Sequence, residues 1–418
     1  MIPSNLTLNI QSEVGKLEAV LTHYPGPEVE NMTPRNAQRA LYSDILNLSI
    51  ARKEYNQLLG VLRKSSKVYE VSDLLTEVLE REDLKENVIR KICEMEQVTG
   101  YIDYLMDQSA PMLSKIIIEG LPIQINTLTD FLRDEYYALQ PLYNFYFTRD
   151  PSVVIGNNAL ICKMANSVRV RESLIMDAIF KSNLAFNTEV INCYDISQNN
   201  SKVKVEGGDV LVIREDILLI GNGTRTSTEG IDMLVKEFCK TGSGSKHVII
   251  QQLPESPESF IHLDMVFTLL NTNTAMVYKP LILESSPYQT VHMEIDNGKV
   301  VKISSANNIL SVTSKLGIDI EPIVCGGKAD EWDQEREQWH SGANFLAIAP
   351  GKVLSYARNI HTLEELNNNG YEIVTASDVI DKKYDLNSSG NCVITIEGSE
   401  LPRGGGGPRC MTMPLLRS

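Results

Sequence analysis

The hydrophobic pattern of the first 71 residues alternates between strand and helix. Strand-forming residues occupy 17–23 and are stopped by Tyr24-Pro25-Gly26. A helical pattern then starts at Thr33-Pro34, where Thr33 suits the capping position and proline the first helical position. Apolar residues continue at helical spacing as far as Leu62, and a second short strand is predicted at 67–71.

The spacing of the apolar residues changes between residues 72 and 139. Apolar residues recur there three and four positions apart, and strand signals nearly vanish. We therefore predict an all-helical insert at 72–139 within one catalytic unit formed by 1–71 and 140–418.

After the insert the chain repeats a pattern of paired strands. Hairpins are predicted at 152–162, 209–221, 265–278 and 345–356, each with a short turn between two apolar runs. Helical patterns follow the first, second and fourth hairpins. An open doubly wound sheet would instead alternate single strands with helices. The hairpins therefore favour an α/β fold built as a circular array of ββαβ-like units.

Composition and charge exclude several classes of protein. The 418 residues are 43% hydrophobic and 22% charged, which is typical of a folded globular protein. A formal net charge of −15 without a basic cluster argues against nucleic acid or an anionic membrane as a partner. The N-terminal residues resemble no signal peptide, and no apolar run reaches membrane-spanning length. Seven scattered cysteines without a CxxC pair argue against disulfides and a zinc site. We expect a cytoplasmic protein.

The candidate nucleophile lies near the end of the sequence. Cys410 follows four glycines at 404–407 and stands beside Arg409. Glycines let the backbone approach a ligand closely, and a neighbouring cation favours thiolate over thiol. The alternative is a frayed glycine-rich tail with an incidental thiol. The choice depends on what the rest of the chain supplies.

Polar residues collect at the edges of the predicted hairpins, and similar edges of repeated units would converge at one end of the array. A thiol with a histidine forms a nucleophile and general acid/base set. Carboxylates beyond the one that orients the histidine imply a cationic substrate group, and a planar guanidinium fits two carboxylates well. Read singly, each residue also has a purely structural explanation. The edge residues are Asn144, Phe147, Asp150, Arg169, Glu206, Arg225, His262 and Asp264.

These residues lie in segments that resemble the arginine deiminases of the guanidino-group-modifying (pentein) superfamily. The resemblance implies a five-bladed α/β propeller with a helical insert, and hydrolysis of free L-arginine to L-citrulline and ammonia. Seven matching blocks follow the family's order: 14–31, 144–150, 206–209, 221–226, 262–264, 336–351 and 409–411.

The resemblance also implies a role for each candidate. Cys410 would attack the guanidinium carbon and form a covalent intermediate, and Asp150 and Asp264 would hold the guanidinium nitrogens. His262 would protonate departing ammonia and then activate water, with Glu206 supporting that chemistry. No metal or organic cofactor is implied. The substrate-binding residues would be Asn144, Arg169 and Arg225 at the α-carboxylate, Phe147 on the stem, and either Arg403 or Arg409 as a gate.

Several positions differ from the family pattern without removing a residue assigned a chemical role; they are Tyr24, Ser43, Tyr55, Met265 and Ala357. Two alternative functions stay open at this point. One is another guanidine-modifying enzyme of the same fold, such as an amidinotransferase, although two arginines at the carboxylate argue for a small free amino acid. The other is a degenerate arginine-binding protein. We expect a homo-oligomer, either dimer or tetramer.

Overall fold

Five β-sheets share one strand arrangement in this computed structural model, which describes residues 5–37, 39–42, 44–132, 135–198, 200–241, 246–328 and 330–418. In each sheet the first two strands form an antiparallel pair, and the third runs parallel to the second. In order across each sheet, the strands are Met413–Arg417, Leu17–Thr22 and Lys67–Glu70 in sheet 1; Ser152–Ile155, Asn158–Ile161 and Glu189–Asn192 in sheet 2; Val210–Arg214, Ile217–Asn222, His247–Gln252, Thr290–Asp296 and Lys299–Ala306 in sheet 3; Phe267–Asn271, Thr274–Val277 and Glu321–Val324 in sheet 4; and Leu346–Ala349, Lys352–Tyr356, Asn391–Ile396 and Tyr371–Thr375 in sheet 5.

Helices and short 3₁₀ turns connect these strands. The helices are Pro27–Glu30, Pro34–Ala37, Leu48–Ser65, Val71–Leu79, Glu82–Met95, Ile102–Met106, Ala110–Glu119, Leu128–Phe131, Val170–Ser182, Cys193–Ser197, Thr228–Thr241, Lys279–Ile282, Ile309–Lys315, Glu331–Trp339, Ile360–Asn368 and Ala376–Ile380. The 3₁₀ turns are Thr99–Tyr101, Ser167–Arg169, Gly207–Asp209, Glu258–Phe260, Leu263–Met265 and Leu401–Gly404. No helix in the described ranges combines the length and apolarity needed to cross a bilayer.

The helical run predicted from Thr33 to Leu62 is interrupted. Pro34–Ala37 is a single short helix, and the next helix, Leu48–Ser65, begins only after Asn47. Between them Leu41 has a φ of 65°, a left-handed conformation that a helix does not contain. The Asn47 side chain accepts hydrogen bonds from the backbone N–H groups of Ser49 and Ile50, and so starts the second helix.

The segment predicted as all-helical is helical for most of its length, but the prediction is wrong near its C-terminal end. Leu121–Pro122 pairs antiparallel with Tyr137–Leu139 in a small two-stranded sheet. Gly120, with a φ of 95°, ends the helix Ala110–Glu119, and Pro122 cannot continue it. A second small sheet pairs Leu6–Thr7 with Phe186–Asn187.

The helices of this segment share an apolar core with the sheets. Leu75, Ile89 and Ile117 belong to the same buried cluster as Ile161 of sheet 2 and Met413 of sheet 1. Contiguous burial of this kind fixes the segment against the sheets, because it removes apolar surface from water on both sides.

Candidate active site

The five sheets contribute polar residues to one site from equivalent positions. Each residue lies within four positions before the first strand of its sheet, where the chain enters the sheet from the same end. They are Cys410 before sheet 1, Asp150 before sheet 2, Glu206 before sheet 3, Asp264 before sheet 4 and Asn344 before sheet 5.

The sulfur of Cys410 is buried against polar groups. Asn344 Nδ2 lies 3.1 Å from Sγ, and Asp264 Oδ2 lies 3.5 Å from it. The pKa of the thiol is raised well above its usual value, first by burial and then by the charges of Asp264 and Asp150, while the backbone N–H of Gly407 and Arg409 act in the opposite direction. In the unliganded protein Cys410 is therefore a neutral thiol.

The glycine-rich loop lies directly over an aromatic side chain. A Cβ atom on Gly406 would stand 2.4 Å from the ring of Phe147 and 3.0 Å from Cys410 Cβ, so only glycine fits there. Phe147 itself packs on Tyr146, with ring centroids 4.1 Å apart. Gly406 therefore lies between Phe147 and the candidate nucleophile, and the role of Phe147 on the substrate stem stays a prediction.

His262 lies between two carboxylates. Its Nε2 is 2.8 Å from Glu206 Oε2, and its Nδ1 is 3.6 Å from Asp150 Oδ1. Burial acts to lower the pKa of His262, but Asp150, Glu206 and Asp209 outweigh it and raise the pKa to about 9. The imidazole is therefore protonated at neutral pH and can act as an acid.

Glu206 is ionised despite complete burial. Burial acts to raise its pKa, but Arg225, whose Nη1 is 3.6 Å from Oε1, and His262 hold the pKa well below its usual value. The backbone N–H of Ala165 also donates to Oε1 at 2.9 Å. Glu206 therefore supplies a fixed negative charge beside the imidazolium.

The two aspartates predicted to hold a guanidinium each have one oxygen that accepts no hydrogen bond within the described chain, although Asp150 Oδ1 lies 3.6 Å from His262 Nδ1. Asp150 Oδ2 accepts a hydrogen bond from Arg169 at 2.6 Å, and Asp264 Oδ2 accepts one from Arg409 at 2.7 Å. The other oxygen of each, Oδ1, is buried without a hydrogen-bond partner among the residues that the structure describes. Buried carboxylate oxygens of this kind are costly unless a donor or cation reaches them.

Two of the predicted substrate-binding arginines are held by carboxylates of the protein. Arg169 donates to both oxygens of Glu172 as well as to Asp150, and Arg409 donates to both oxygens of Glu13 as well as to Asp264. Both arginines are at most 4% exposed. In this conformation they orient the two aspartates.

Asn144, Arg225 and Arg403 are the other predicted binding or gate residues. The Asn144 side chain donates to the carbonyl of Ala40 at 2.7 Å. Arg225 faces a cavity of ≈ 40 Å³ formed with Leu41, Ser259, Ile261, Met265, Trp339, Pro402, Gly404 and Gly405. Of the two candidate gate residues, Arg403 is half-exposed and pairs with Asp44, whereas Arg409 is buried.

Three of the departures from the family pattern lie close to the site. Tyr55 packs edge-on against Tyr24 and donates its hydroxyl to the carbonyl of Met411 at 3.4 Å. Met265 lines the small cavity, and its sulfur is 3.7 Å from Asn344 Nδ2. Ala357 is exposed, and Ser43 lies outside the described residues.

Sequence reasoning assigned no role to Asn344, Glu13 or Glu172. Asn344 could have been found from its place before the fourth predicted hairpin, which matches the place of Asp150 before the first. Glu13 carries no such signal because its partner, Arg409, is distant in sequence. Glu172 carries none because a glutamate three positions after an arginine, here Arg169, is not a distinctive pattern.

The sequence is similar to known proteins over nearly its whole length. A sequence model described as arginine deiminase matches residues 38–417. The chain is 34% identical to an arginine deiminase of Listeria innocua over 98% of both chains, and 32% identical to one of Oenococcus oeni over 100% of this chain and 99% of the relative.

Three solved structures share the fold of this chain. DDAH from Pseudomonas aeruginosa complexed with citrulline is 15% identical with a TM-score of 0.51, covering 95% of this chain and 99% of its own. The amidinotransferase SxtG from Microseira wollei is 13% identical with a TM-score of 0.53, covering 99% and 98%. The N-terminal domain of ArgZ, an arginine dihydrolase, bound to its substrate is 13% identical with a TM-score of 0.52, covering 96% and 98%.

Proposed function

The chain belongs to the arginine deiminase family and hydrolyses arginine to citrulline, and we propose that it does so at the cluster around Cys410. The observation that carries this proposal is the pair of buried carboxylate oxygens that accept no hydrogen bond within the described chain, Asp150 Oδ1 and Asp264 Oδ1, the second on the carboxylate that contacts the thiol. A guanidinium has N–H groups on two edges and can donate to both oxygens at once. Its carbon then lies beside Cys410 Sγ.

Binding of the cation activates the nucleophile. The free thiol resists ionisation because it is buried beside Asp150 and Asp264. A guanidinium between these carboxylates offsets their charge and favours the thiolate. The thiolate then attacks the guanidinium carbon, so that a C–S bond forms and a tetrahedral adduct develops.

His262 completes the first half of the reaction. As the imidazolium, it donates a proton to the departing nitrogen, the C–N bond breaks, and ammonia leaves the covalent amidino intermediate on Cys410. The neutral imidazole then takes a proton from water, and the hydroxide adds to the same carbon. Collapse of this second adduct breaks the C–S bond, the hydroxyl proton passes to the departing sulfur to restore the thiol, and the ureido group of citrulline remains. Glu206 holds His262 in position through both steps.

We propose that Arg225 binds the α-carboxylate, because its side chain faces the small cavity next to the glycine-rich loop. The contribution of Asn144 to carboxylate binding stays a prediction, and Phe147, next to the glycine-rich loop, is proposed to supply the apolar wall for the methylene stem. Contributions of Arg169 and Arg409 to carboxylate binding stay predictions, since each guanidinium is engaged by two carboxylates of the protein.

We further propose that the five sheets are the blades of a propeller, with residues 1–71 and 140–418 as the catalytic domain and 72–139 as the insert. The repeated ββαβ-like order of strands supports this arrangement. All seven cysteines are unpaired, which supports a location in the reducing cytoplasm. We also propose a homo-oligomer, either a dimer or a tetramer, because long helical inserts and propeller edges commonly make subunit contacts.

The test is citrulline formation from L-arginine by the wild type, by Cys410→Ser and by Cys392→Ser. Cys392 is a buried cysteine in sheet 5 whose thiol lies beside Tyr384 rather than beside the carboxylates of the site. We expect citrulline from the wild type and Cys392→Ser only. Activity of a folded Cys410→Ser variant would contradict the assignment of the nucleophile.

Two substrate analogues test the rest of the site. Agmatine lacks the α-carboxylate and should give no product if Arg225 recognises that group, and Arg225→Ala should raise KM for arginine strongly. A product from agmatine or from a methylated arginine at a rate comparable to arginine would favour another guanidine-modifying activity. Binding of arginine without turnover by the wild type would indicate a degenerate arginine-binding protein.

A further inference from the structure

We propose that Asn344 is a further catalytic residue of this reaction, whose side-chain N–H stabilises the thiolate of Cys410 and aims its sulfur at the substrate carbon. The proposal rests on the proposed function, in which Cys410 is the nucleophile. Asn344 is fully buried and reaches the sulfur directly, at 3.1 Å.

The orientation of the Asn344 amide is fixed by its neighbours. The backbone N–H groups of Arg409 and Cys410 lie 3.0 and 3.2 Å from one side-chain atom. A backbone N–H only donates, so that atom is the oxygen. The nitrogen therefore faces the other way, where two acceptors lie 3.1 Å away: the carbonyl oxygen of Asp264 and Cys410 Sγ. Each amide hydrogen has one acceptor.

The sulfur needs such a donor because its other surroundings oppose ionisation. Burial, Asp264 and Asp150 all raise the pKa of the thiol. Arg409, although adjacent in sequence, directs its guanidinium to Glu13 and Asp264. The Asn344 amide and the backbone N–H of Gly407 are the neutral donors that remain beside the developing charge, and hydrogen bonds to charged groups are the stronger ones.

The glycine-rich loop is shaped to lie on this side chain. A Cβ atom on Gly407 would stand 2.7 Å from Asn344 Oδ1 and 2.8 Å from Asn344 Cβ. The absence of a side chain at this position lets the loop close onto the amide. Asn344 thus links sheet 5 to the segment that carries the nucleophile, and completes the set of one polar residue from each sheet.

The sharpest variant is Asn344→Asp. Its carboxylate keeps an acceptor for the backbone N–H groups of Arg409 and Cys410 but replaces the donor facing Sγ with an acceptor. We expect kcat for arginine to fall by roughly 10- to 100-fold or more, with a smaller change in KM, because a hydrogen bond to a charged group is lost. Inactivation of the free protein by iodoacetamide should shift to higher pH, since the thiol becomes harder to ionise.

Asn344→Ala is the second variant and should give a smaller alkaline shift, because it removes the donor without adding a charge. The matched control is Asn183→Ala, which removes a buried asparagine that also joins separate backbone segments but lies outside the site. A merely structural role for Asn344 would lower stability in all three variants and leave the pH profile of inactivation where the wild type has it.

The outcomes separate this inference from the proposed function. An inactive Cys410→Ser together with wild-type kcat and an unshifted inactivation profile in both Asn344 variants would overturn the role of Asn344 alone. Full activity of Cys410→Ser would overturn the proposed function itself. Loss of kcat with an alkaline shift in Asn344→Asp larger than in Asn344→Ala supports the role.

Discussion

Replacing Glu206 by glutamine should move the alkaline limb of the pH–rate profile to lower pH. Glu206 lies 2.8 Å from Nε2 of His262 and is one of the charges that raise the pKa of this imidazole to about 9. Glutamine keeps the size of the side chain but removes the charge. His262 then loses its proton at lower pH, and with it the ability to protonate departing ammonia.

The size of the shift follows from the charges that remain. An ionised partner in direct contact changes a pKa by roughly 1–3 units, which would take His262 from about 9 to roughly 6–8. Asp150, 3.6 Å from Nδ1, still favours the imidazolium, but Arg225 loses its partner and opposes it. With a pKa of roughly 7, only about a tenth of His262 is protonated at about pH 8, against roughly nine tenths in the wild type.

The assay is kcat for citrulline formation across the neutral and alkaline range. We expect Glu206→Gln to lose about tenfold more activity at about pH 8 than at about pH 6. Glu337→Gln serves as the control, because Glu337 is a buried carboxylate that accepts hydrogen bonds from the backbone N–H groups of His361 and Thr362 rather than from His262. NMR titration of the imidazole would measure the shift directly. An unchanged alkaline limb in an otherwise slowed enzyme would refute the electrostatic role of Glu206.

Three further predictions concern the frame of the site. The fully buried Glu54 accepts hydrogen bonds from the backbone N–H groups of Ser399, Glu400 and Leu401, so Glu54→Gln should lower the free energy of unfolding by about 1–3 kcal/mol and slow turnover, as measured by urea unfolding and citrulline formation. Gly406→Ala should reduce kcat because its Cβ atom would meet Phe147 at 2.4 Å, whereas Gly100→Ala, with open space around it, should not. Burial acts to lower the pKa of His23, but Glu28 and Glu70 outweigh it and raise the pKa from 6.5 to about 10. Protonated His23 therefore stabilises the fold fully below pH 6.5, and this stabilisation is lost as the pH rises through about 10. The free energies of urea unfolding of the wild type and of His23→Gln should differ near neutral pH and converge in strong alkali.

The hairpins could be predicted from sequence because their strands are buried. Runs such as Val210–Arg214 and Ile217–Asn222 contain mostly apolar, β-branched residues bounded by turn residues. The strands Thr290–Asp296 and Lys299–Ala306 could not be predicted, since the second is exposed along most of its length and half of its residues are polar. Their conformation depends on pairing with His247–Gln252, a contact distant in sequence.

Some residues of the site could likewise be predicted from the sequence, and others could not. Cys410 and His262 were predicted because a thiol after glycines and a histidine two positions before an aspartate are distinctive in sequence, and because their segments resemble a known family. Glu13 was missed because a single glutamate shows no preference for a distant arginine until the fold brings Arg409 to it. Arg169 was placed at the substrate carboxylate, although local sequence cannot show that Glu172, three positions later, holds its guanidinium.

Sheet 1 pairs residues from opposite ends of the sequence, with Leu17 opposite Arg417, and Cys410 lies just before the strand that closes it. During synthesis on the ribosome, the other four sheets can form while the strand Met413–Arg417 is still missing. Asp150, His262 and Asp264 can then meet without the thiol. Catalysis therefore appears only after the final strand has paired, and an incomplete nascent chain has no positioned nucleophile. Citrulline formation therefore reports that the two distant segments have paired in sheet 1.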